Sequence, residues 1–427
     1  MQNRVQKKKK ISLTTMIFIA LLAGALAGVI INYVIPSNYV VDDIIVQGVF
    51  YIVGQGFIRL MRMLVVPLVF CSIVCGSMAV GDTKKLGSVG VKTLIFYLCT
   101  TALAITVALT IANIFNPGKG LDMSQIQVTS TVSETTQSMS MTETLLDIIP
   151  VNIFNSLSEG NMLQIIVFAL ILGVILANMG DRVDIVKNFF GQFNDIMMEM
   201  TMAVMKLAPI GVFCLIAKTF AEIGFEVFLP LLKYMFCVLL ALAVQCFVVY
   251  LGLLKIFSGL NPFIFIKNFF PVMAFAFSTS TSNATIPMNI DTLAEKMGVS
   301  KKISSFTIPL GATINMDGTS IMQGVAVVFT AQAFGIPLDM MDYLTVIGTA
   351  TLASIGTAGV PSVGLITLTM VFNSVGLPIE GIALIMGIDR ILDMTRTAVN
   401  ITGDAVCTTI VASWNKAVDR DVYYRRK

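Results

Sequence analysis

Residues 303–333, ISSFTIPLGATINMDGTSIMQGVAVVFTAQA, would read as one membrane-crossing helix but for the centre. There Asn315, Met316, Asp317, Gly318 and Thr319 place an amide, a carboxylate and a hydroxyl at bilayer depth. Backbone freed by such a break finds no water in hydrocarbon, so it is tolerated only where it lines a protected cavity. Two further polar clusters interrupt the C-terminal part of the chain: STSTSNATIP at 278–287 and SIGTAGVPSVG at 354–364. Each lies between apolar arms of about half the spanning length. The pattern predicts two re-entrant hairpins and one unwound helix meeting around a site.

The rest of the chain belongs in a bilayer too. Of 427 residues, 56% are apolar and 12% charged, with a mean hydropathy of +0.86, outside the range of a soluble globular domain. Stretches long enough to cross a core about 30 Å thick run at 11–35, 44–80, 89–115, 148–177, 197–220 and 228–257. The first follows the basic run Lys7 to Lys10 and is read as a retained spanning helix rather than a cleaved leader. The second and fourth exceed one perpendicular crossing and are expected to tilt or break, the fourth at its own breaker, 156–161. Lys7 to Lys10, then Lys84, Lys85 and Lys92, then Arg182 and Lys187 fall at alternate ends, which puts the N-terminus inside. The Ser- and Thr-rich segment 118–144 is then an external loop.

Other chemistries are excluded by what the chain contains. It has no histidine, which removes HExxH-type zinc proteolysis and imidazole relays. Its seven cysteines all sit in apolar stretches without a CxxC pair and read as small core residues. The basic residues gather at segment ends rather than in a patch, so no nucleic-acid partner is expected.

The last long segment, 379–414, is apolar apart from Asp389, Arg390, Asp393, Arg396, Thr397, Asn400 and Asp404. At about 100° per residue all of these but Arg390 fall within a sector of roughly 100°. An ionised side chain at this depth costs about 2.5–3.5 kcal/mol on insertion scales, so the stripe must face a cavity, pair internally or hold ions. Asp393 and Arg396 can pair at (i, i+3), but such a pair leaves Asn400 and Asp404 unexplained. Asn400 with Asp404, and Asn315 with Asp317, form two oxygen-rich clusters suited to a hard monovalent cation. Arg396 reads as the anchor for a ligand carboxylate and Asp393 as the partner of an ammonium, which together describe aspartate or glutamate.

At these residues the chain resembles the dicarboxylate/amino acid:cation symporter family. The stretches that carry the resemblance are TSNATIP at 281–287, SFTIPLGATINMDGT at 305–319, SIGTAGVP at 354–361 and DMTRTAVNITGD at 393–404. It implies an all-α polytopic protein with eight spanning helices and two re-entrant hairpins, working as a homotrimer in the cell's inner (plasma) membrane with both termini cytoplasmic. It also implies a scaffold (1–80 and 146–220) and an elevator-like transport domain (81–117, 221–258 and 259–417), with an external loop at 118–145 and a tail at 418–427. Substrate contacts carry over to Thr281, Ser282 and Asn283 at the first hairpin tip, and to Ala358, Gly359, Val360, Pro361 and Gly364 at the second. Thr319, Asp393, Arg396, Thr397 and Asn400 complete that set. Na+ positions carry over to Gly311, Asn315, Asn400 and Asp404 for one ion. A second takes carbonyls of Thr313, Ser354, Ile355 and Thr357, and a third takes Tyr97, Thr100, Thr101, Asn315 and Asp317.

Three positions depart from the family pattern. Ser280 and Met394 stand where many relatives carry an extra arginine, Gln323 where neuronal relatives carry a glutamate linked to proton and potassium coupling, and Asn283 where serine is common. The competing readings are a C4-dicarboxylate carrier, which would not need Asp393, a proton-coupled carrier of the same fold, and an anion channel, which would need neither the charged stripe nor paired hairpins. No nucleophile–base pair is visible in the membrane segments, so an enzyme is not expected.

Overall fold

The computed structural model describes residues 13–81, 88–121, 149–224, 228–354 and 363–424, and among these the chain is helical, with one isolated bridge between Val299 and Val418. Helix α1 spans Leu13–Tyr33. A π-helical segment, Val40–Phe50, runs without a break into α2, Tyr51–Gly81, so the overlong second stretch is one helix rather than two. Then come α3 (Ser88–Phe115), α4 (Ile153–Glu159) and α5 (Met162–Met179). The expected break between α4 and α5 is made by Gly160 at φ 73° and by Asn161, whose side chain caps Gln164 N.

The span expected at 197–220 is made of two helices rather than one. Helix α6 (Asp184–Met205) ends and α7 (Ala208–Ile223) begins at a bend of 52°. Pro209 in the first turn of α7 has no N–H to continue the α6 ladder, which ends the helix although the composition stays apolar.

Helix α8 (Phe228–Ala243) passes through a π turn, Val244–Tyr250, into α9 (Leu251–Ser258). The first hairpin is α10 (Pro262–Thr279) and α11 (Ser282–Met297), reversed at Ser280 with φ 51°. At 18 residues α10 is longer than the half-span expected of it, and it is apolar enough to count as a crossing segment. The unwound helix is α12 (Lys301–Ile314) and α13 (Asp317–Ala333), parted at Asn315 and Met316. The second hairpin's arms are α14 (Met340–Ser354) and α15 (Val363–Ser374). Helix α16, Glu380–Trp414, is unbroken for 35 residues, and α17 (Arg420–Tyr424) follows it.

Five described helices are long and apolar enough to cross a membrane, or six if the α6–α7 pair is one span. Their outer faces are apolar, with Ile19, Leu22, Phe247, Val248 and Phe263 all more than half exposed, as a lipid-facing surface requires. Of the seven free cysteines five are buried, but Cys99 is exposed, which corrects its reading as a core residue.

The broken and hairpin helices wrap α16: α10, α11, α12, α13 and α15 all pack on it, and α3 packs along α13. This makes α13 and the middle of α16 the driest part of the molecule, with sixteen of seventeen α13 residues buried. On the other side α1 lies along α7, backbone against backbone. A Cβ at Gly28 would meet the carbonyl oxygen of Ala217 at 2.5 Å and the nitrogen of Ala221 at 2.9 Å, the close approach that small residues permit in membranes. Gly28→Val is therefore expected to force α1 from α7 at a cost of about 1–3 kcal/mol. A melting temperature of the detergent-solubilised variant equal to the parent's would disprove that contact.

Candidate functional site

Asp389, Asp393 and Arg396 of the charged stripe form an ion-pair ladder along α16. Arg396, 1% exposed, donates from Nη1 to Asp389 Oδ1 at 2.6 Å and from Nη2 to Asp393 Oδ1 at 2.9 Å. The spacing of four and three residues puts the three side chains on successive turns of one face. The internal pairing of Asp393 with Arg396 is thus realised, and Asp389, given no role by the sequence reading, joins it. The charges sum to one negative. Arg396 Nε is buried and has no acceptor among the described residues, so the guanidinium keeps N–H donors to offer, the Nε one among them.

Two other elements reach this point. A Cβ at Gly364, in the first turn of α15, would come within 3.0 Å of Thr319 Cγ2 and 3.4 Å of Arg396 Nη2. A Cβ at Gly318 would sit 2.9 Å from the Arg396 carbonyl oxygen and 3.0 Å from Asn400 Oδ1. The bare backbone there lets Gly318 N donate to Asn400 Oδ1 at 2.7 Å. Thr397 is held by its hydroxyl on the Asp393 carbonyl, 2.8 Å away. Gly364 and Asp393 thus lie at the Arg396 guanidinium with Thr319 beside Gly364, while Thr397 and Asn400 follow along the same face of α16.

Beneath it lie two fully buried carboxylates. Asp404 Oδ1 accepts from Asn315 Nδ2 at 2.8 Å, and the same nitrogen donates to the Asn400 carbonyl at 3.0 Å. Gly311 has to be glycine, since a Cβ would lie 2.4 Å from Asp404 Oδ1 and 2.5 Å from the Tyr97 hydroxyl. The Asp317 carboxylate accepts from Thr101 at 2.6 Å, Tyr250 at 2.7 Å and Gln245 at 3.1 Å. Thr100 donates to the Tyr97 carbonyl, and the Thr101 hydroxyl, 2.8 Å from the same carbonyl, shares its one hydrogen between it and Asp317. Two of the three expected ion sets are thus brought together. Asn315 Oδ1, shared by both, is a buried acceptor with no donor among the described residues. No lysine or arginine among the described residues pairs with Asp317 or Asp404. The oxygen-only donor set fits a hard cation, and no cluster of three or more His, Cys, Asp or Glu suited to a transition metal occurs among the described residues.

The other expected contacts are dispersed or lie elsewhere. At the first tip Ser282 is buried and Asn283 exposed, and Thr281 is the extended residue just before α11. Neither ion-pair partner of Arg396 comes from this tip. Ser280 is buried in the left-handed turn with its hydroxyl unpartnered. The hydroxyls of Thr313 and Ser354 bond their own helices, to the Pro309 and Thr351 carbonyls, while the expected ion set uses their carbonyls. Ile355, Thr357, Ala358, Gly359, Val360 and Pro361 lie outside the described residues, as does most of the loop at 118–144. Gln323 donates to Thr367 at 2.8 Å, tying α13 to α15. Sequence reasoning missed Gln245, Tyr250 and Asn289, the last spanning from α11 to the Ile401 carbonyl.

The family model described as "Sodium:dicarboxylate symporter family" matches residues 13–414. A proton/sodium-glutamate symport protein of Bacillus caldotenax is 39% identical over 411 residues, 95% of each chain. The proton/glutamate-aspartate symporter of Escherichia coli (strain K12) is 36% identical over 422 residues, 97% of this chain and 95% of the relative. C4-dicarboxylate transport protein 1 of Ralstonia nicotianae is 33% identical over 372 residues, 86% of each chain.

Proposed function

The chain belongs to the sodium:dicarboxylate symporter family, and from that premise we propose that it carries aspartate or glutamate inward together with sodium ions. The observation that carries the ion half is the pair Asp317 and Asp404, both buried and without a basic partner among the described residues. Two ionised carboxylates so placed need positive charge from outside the protein. A sodium ion supplies it, and Asn315 Oδ1 offers it a further oxygen.

The substrate half rests on Arg396 and Asp393. The guanidinium takes the side-chain carboxylate and Asp393 the ammonium. An incoming carboxylate has to share Arg396 with Asp389 and Asp393, so the amino group that engages Asp393 helps free the fork. Sodium at the Asn315–Thr319 break stiffens the turn that presents Thr319. The second hairpin then closes over both, and the loaded transport domain moves as an elevator against a scaffold that holds a homotrimer in the plasma membrane, both termini cytoplasmic.

Uptake of labelled aspartate into liposomes containing the purified protein tests this reading. Uptake is expected to follow an imposed sodium gradient, and uptake that ignores sodium but follows a pH gradient would overturn the sodium assignment. Relatives named as proton symporters make that second arm a necessary one. C4-dicarboxylate carriage, suggested by the name of another relative, is disfavoured by Asp393, because such substrates bring no ammonium. Asp393→Asn is expected to collapse amino-acid uptake by about tenfold or more, the effect of losing a charge-assisted bond of about 1.5–3 kcal/mol. Undiminished aspartate uptake, or improved succinate uptake in its place, would favour the dicarboxylate carrier.

A further inference from the structure

Of the donors that hold Asp317, two come from one segment that an α-helix could not bring to it together. Gln245 and Tyr250 are five residues apart, which in an α-helix separates side chains by about 140° around the axis. Here both donate to the same oxygen, Asp317 Oδ2, at 3.1 Å and 2.7 Å. The reason is the π turn Val244–Tyr250, whose i→i+5 bonding stacks residues five apart. Such turns are rare and strained inside α-helices and recur at functional sites.

The surroundings are built for this contact. Both side chains are fully buried. The Tyr250 hydroxyl fits because residue 403 is glycine; a Cβ there would lie 2.5 Å from it. The other carboxylate oxygen is bonded by Thr101 from α3, so three donors from two elements cover Asp317. Asn315 Oδ1, in the break directly before it, is an acceptor with no donor.

We propose that this π turn is a competitor for the cation at Asp317: Tyr250 and Gln245 hold Oδ2 as hydrogen-bond donors, and a cation entering beside Thr101, Asn315 and Asp317 displaces them. The inference rests on the sodium reading above and adds to it two residues that set ion affinity without having to bind the ion. The sign follows from competition. Removing the Tyr250 hydroxyl spares the cation the breaking of a charge-assisted bond and leaves the carboxylate less satisfied before the cation arrives, and both effects tighten binding.

The test uses the purified full-length chain without substrate. Its melting temperature is followed as sodium chloride replaces choline chloride at constant ionic strength, since a ligand bound only by the folded state raises it. Tyr250→Phe keeps the ring and removes only the hydroxyl. In this variant the midpoint between the flat and the rising limbs of that curve, which lies near the sodium dissociation constant, is expected to fall about tenfold, the equivalent of one hydrogen bond to a charged group. Gln245→Met, which removes the longer bond, is expected to move it in the same direction by less. Tyr343→Phe, which removes a hydroxyl bonded to Asn113 in another part of the molecule, is expected to leave it unchanged. The melting temperature in choline alone reports any purely structural loss, which by itself does not shift the midpoint. An unchanged midpoint in Tyr250→Phe overturns the competition, and a raised one makes the hydroxyl a ligand. A parent protein that does not respond to sodium overturns the sodium reading itself, a failure seen in the parent and not in the variant.

Discussion

Arg396→Cys is expected to abolish binding of acidic amino acids and to admit small neutral ones. The Arg396 side chain is the largest fully buried one among the described residues, and its guanidinium is the shared counter-charge of Asp389 and Asp393. Removing it from the ladder costs about 3–5 kcal/mol, the range for truncating one partner of a buried pair. It also leaves two aspartates facing a ligand that would bring further negative charge. A neutral amino acid brings an ammonium for Asp393 and no side-chain carboxylate, so it escapes the repulsion. Because the ladder is itself structural, a melting curve accompanies the binding titration. Arg396→Lys keeps the charge but loses the planar fork, so it is expected to fold better than the cysteine variant and to bind aspartate weakly. Aspartate affinity in Arg396→Cys within a few-fold of the parent's would remove the anchor role from this residue.

The same ladder marks how far the sequence could be read. A stripe from Asp389 to Asp404 is legible because charge in hydrocarbon is expensive and because α16 keeps a regular helical period over its whole length. The pairing of Asp389 with Arg396 was within reach of that argument, since seven residues are two turns. A reading that gives Arg396 to a ligand and pairs it internally only with Asp393 leaves Asp389 without a role. The breaks at Gly160, Ser280 and Asn315 announce themselves by polar residues at membrane depth. The bend at Lys206 and Leu207 offers one lysine and no polar cluster, and its cause is a missing N–H at Pro209. Gln245 and Tyr250 were illegible for a deeper reason. A period of 3.6 assigns them to different faces, and only the π turn reverses that, so no pattern search on an ideal helix would place them on one carboxylate.

Asp404→Asn is expected to weaken aspartate binding at low sodium by about 5- to 150-fold, the span of ordinary coupling energies between two sites, with partial recovery at high sodium. Asp404 does not touch the Arg396 ladder. It reaches the solute only through a relay: its carboxylate takes Asn315 Nδ2, that nitrogen also holds the Asn400 carbonyl, and Asn400 Oδ1 takes Gly318 N beside Thr319. Asparagine at 404 keeps an oxygen for Asn315 and so preserves the relay while removing the charge, which isolates the cation's part in it. Asp317→Asn is expected to act in the same direction but is less clean, because an amide nitrogen would face one of the donors from Thr101, Gln245 or Tyr250. If sodium stiffens the break that presents Thr319, solute and ion raise each other's affinity by the same factor. Calorimetric titration of aspartate at several sodium concentrations reads that factor in the parent and in each variant. A parent that binds aspartate equally well with and without sodium would refute the coupling. A variant whose defect is the same at every sodium concentration would assign Asp404 to holding α12 against α16, with no part in ion binding.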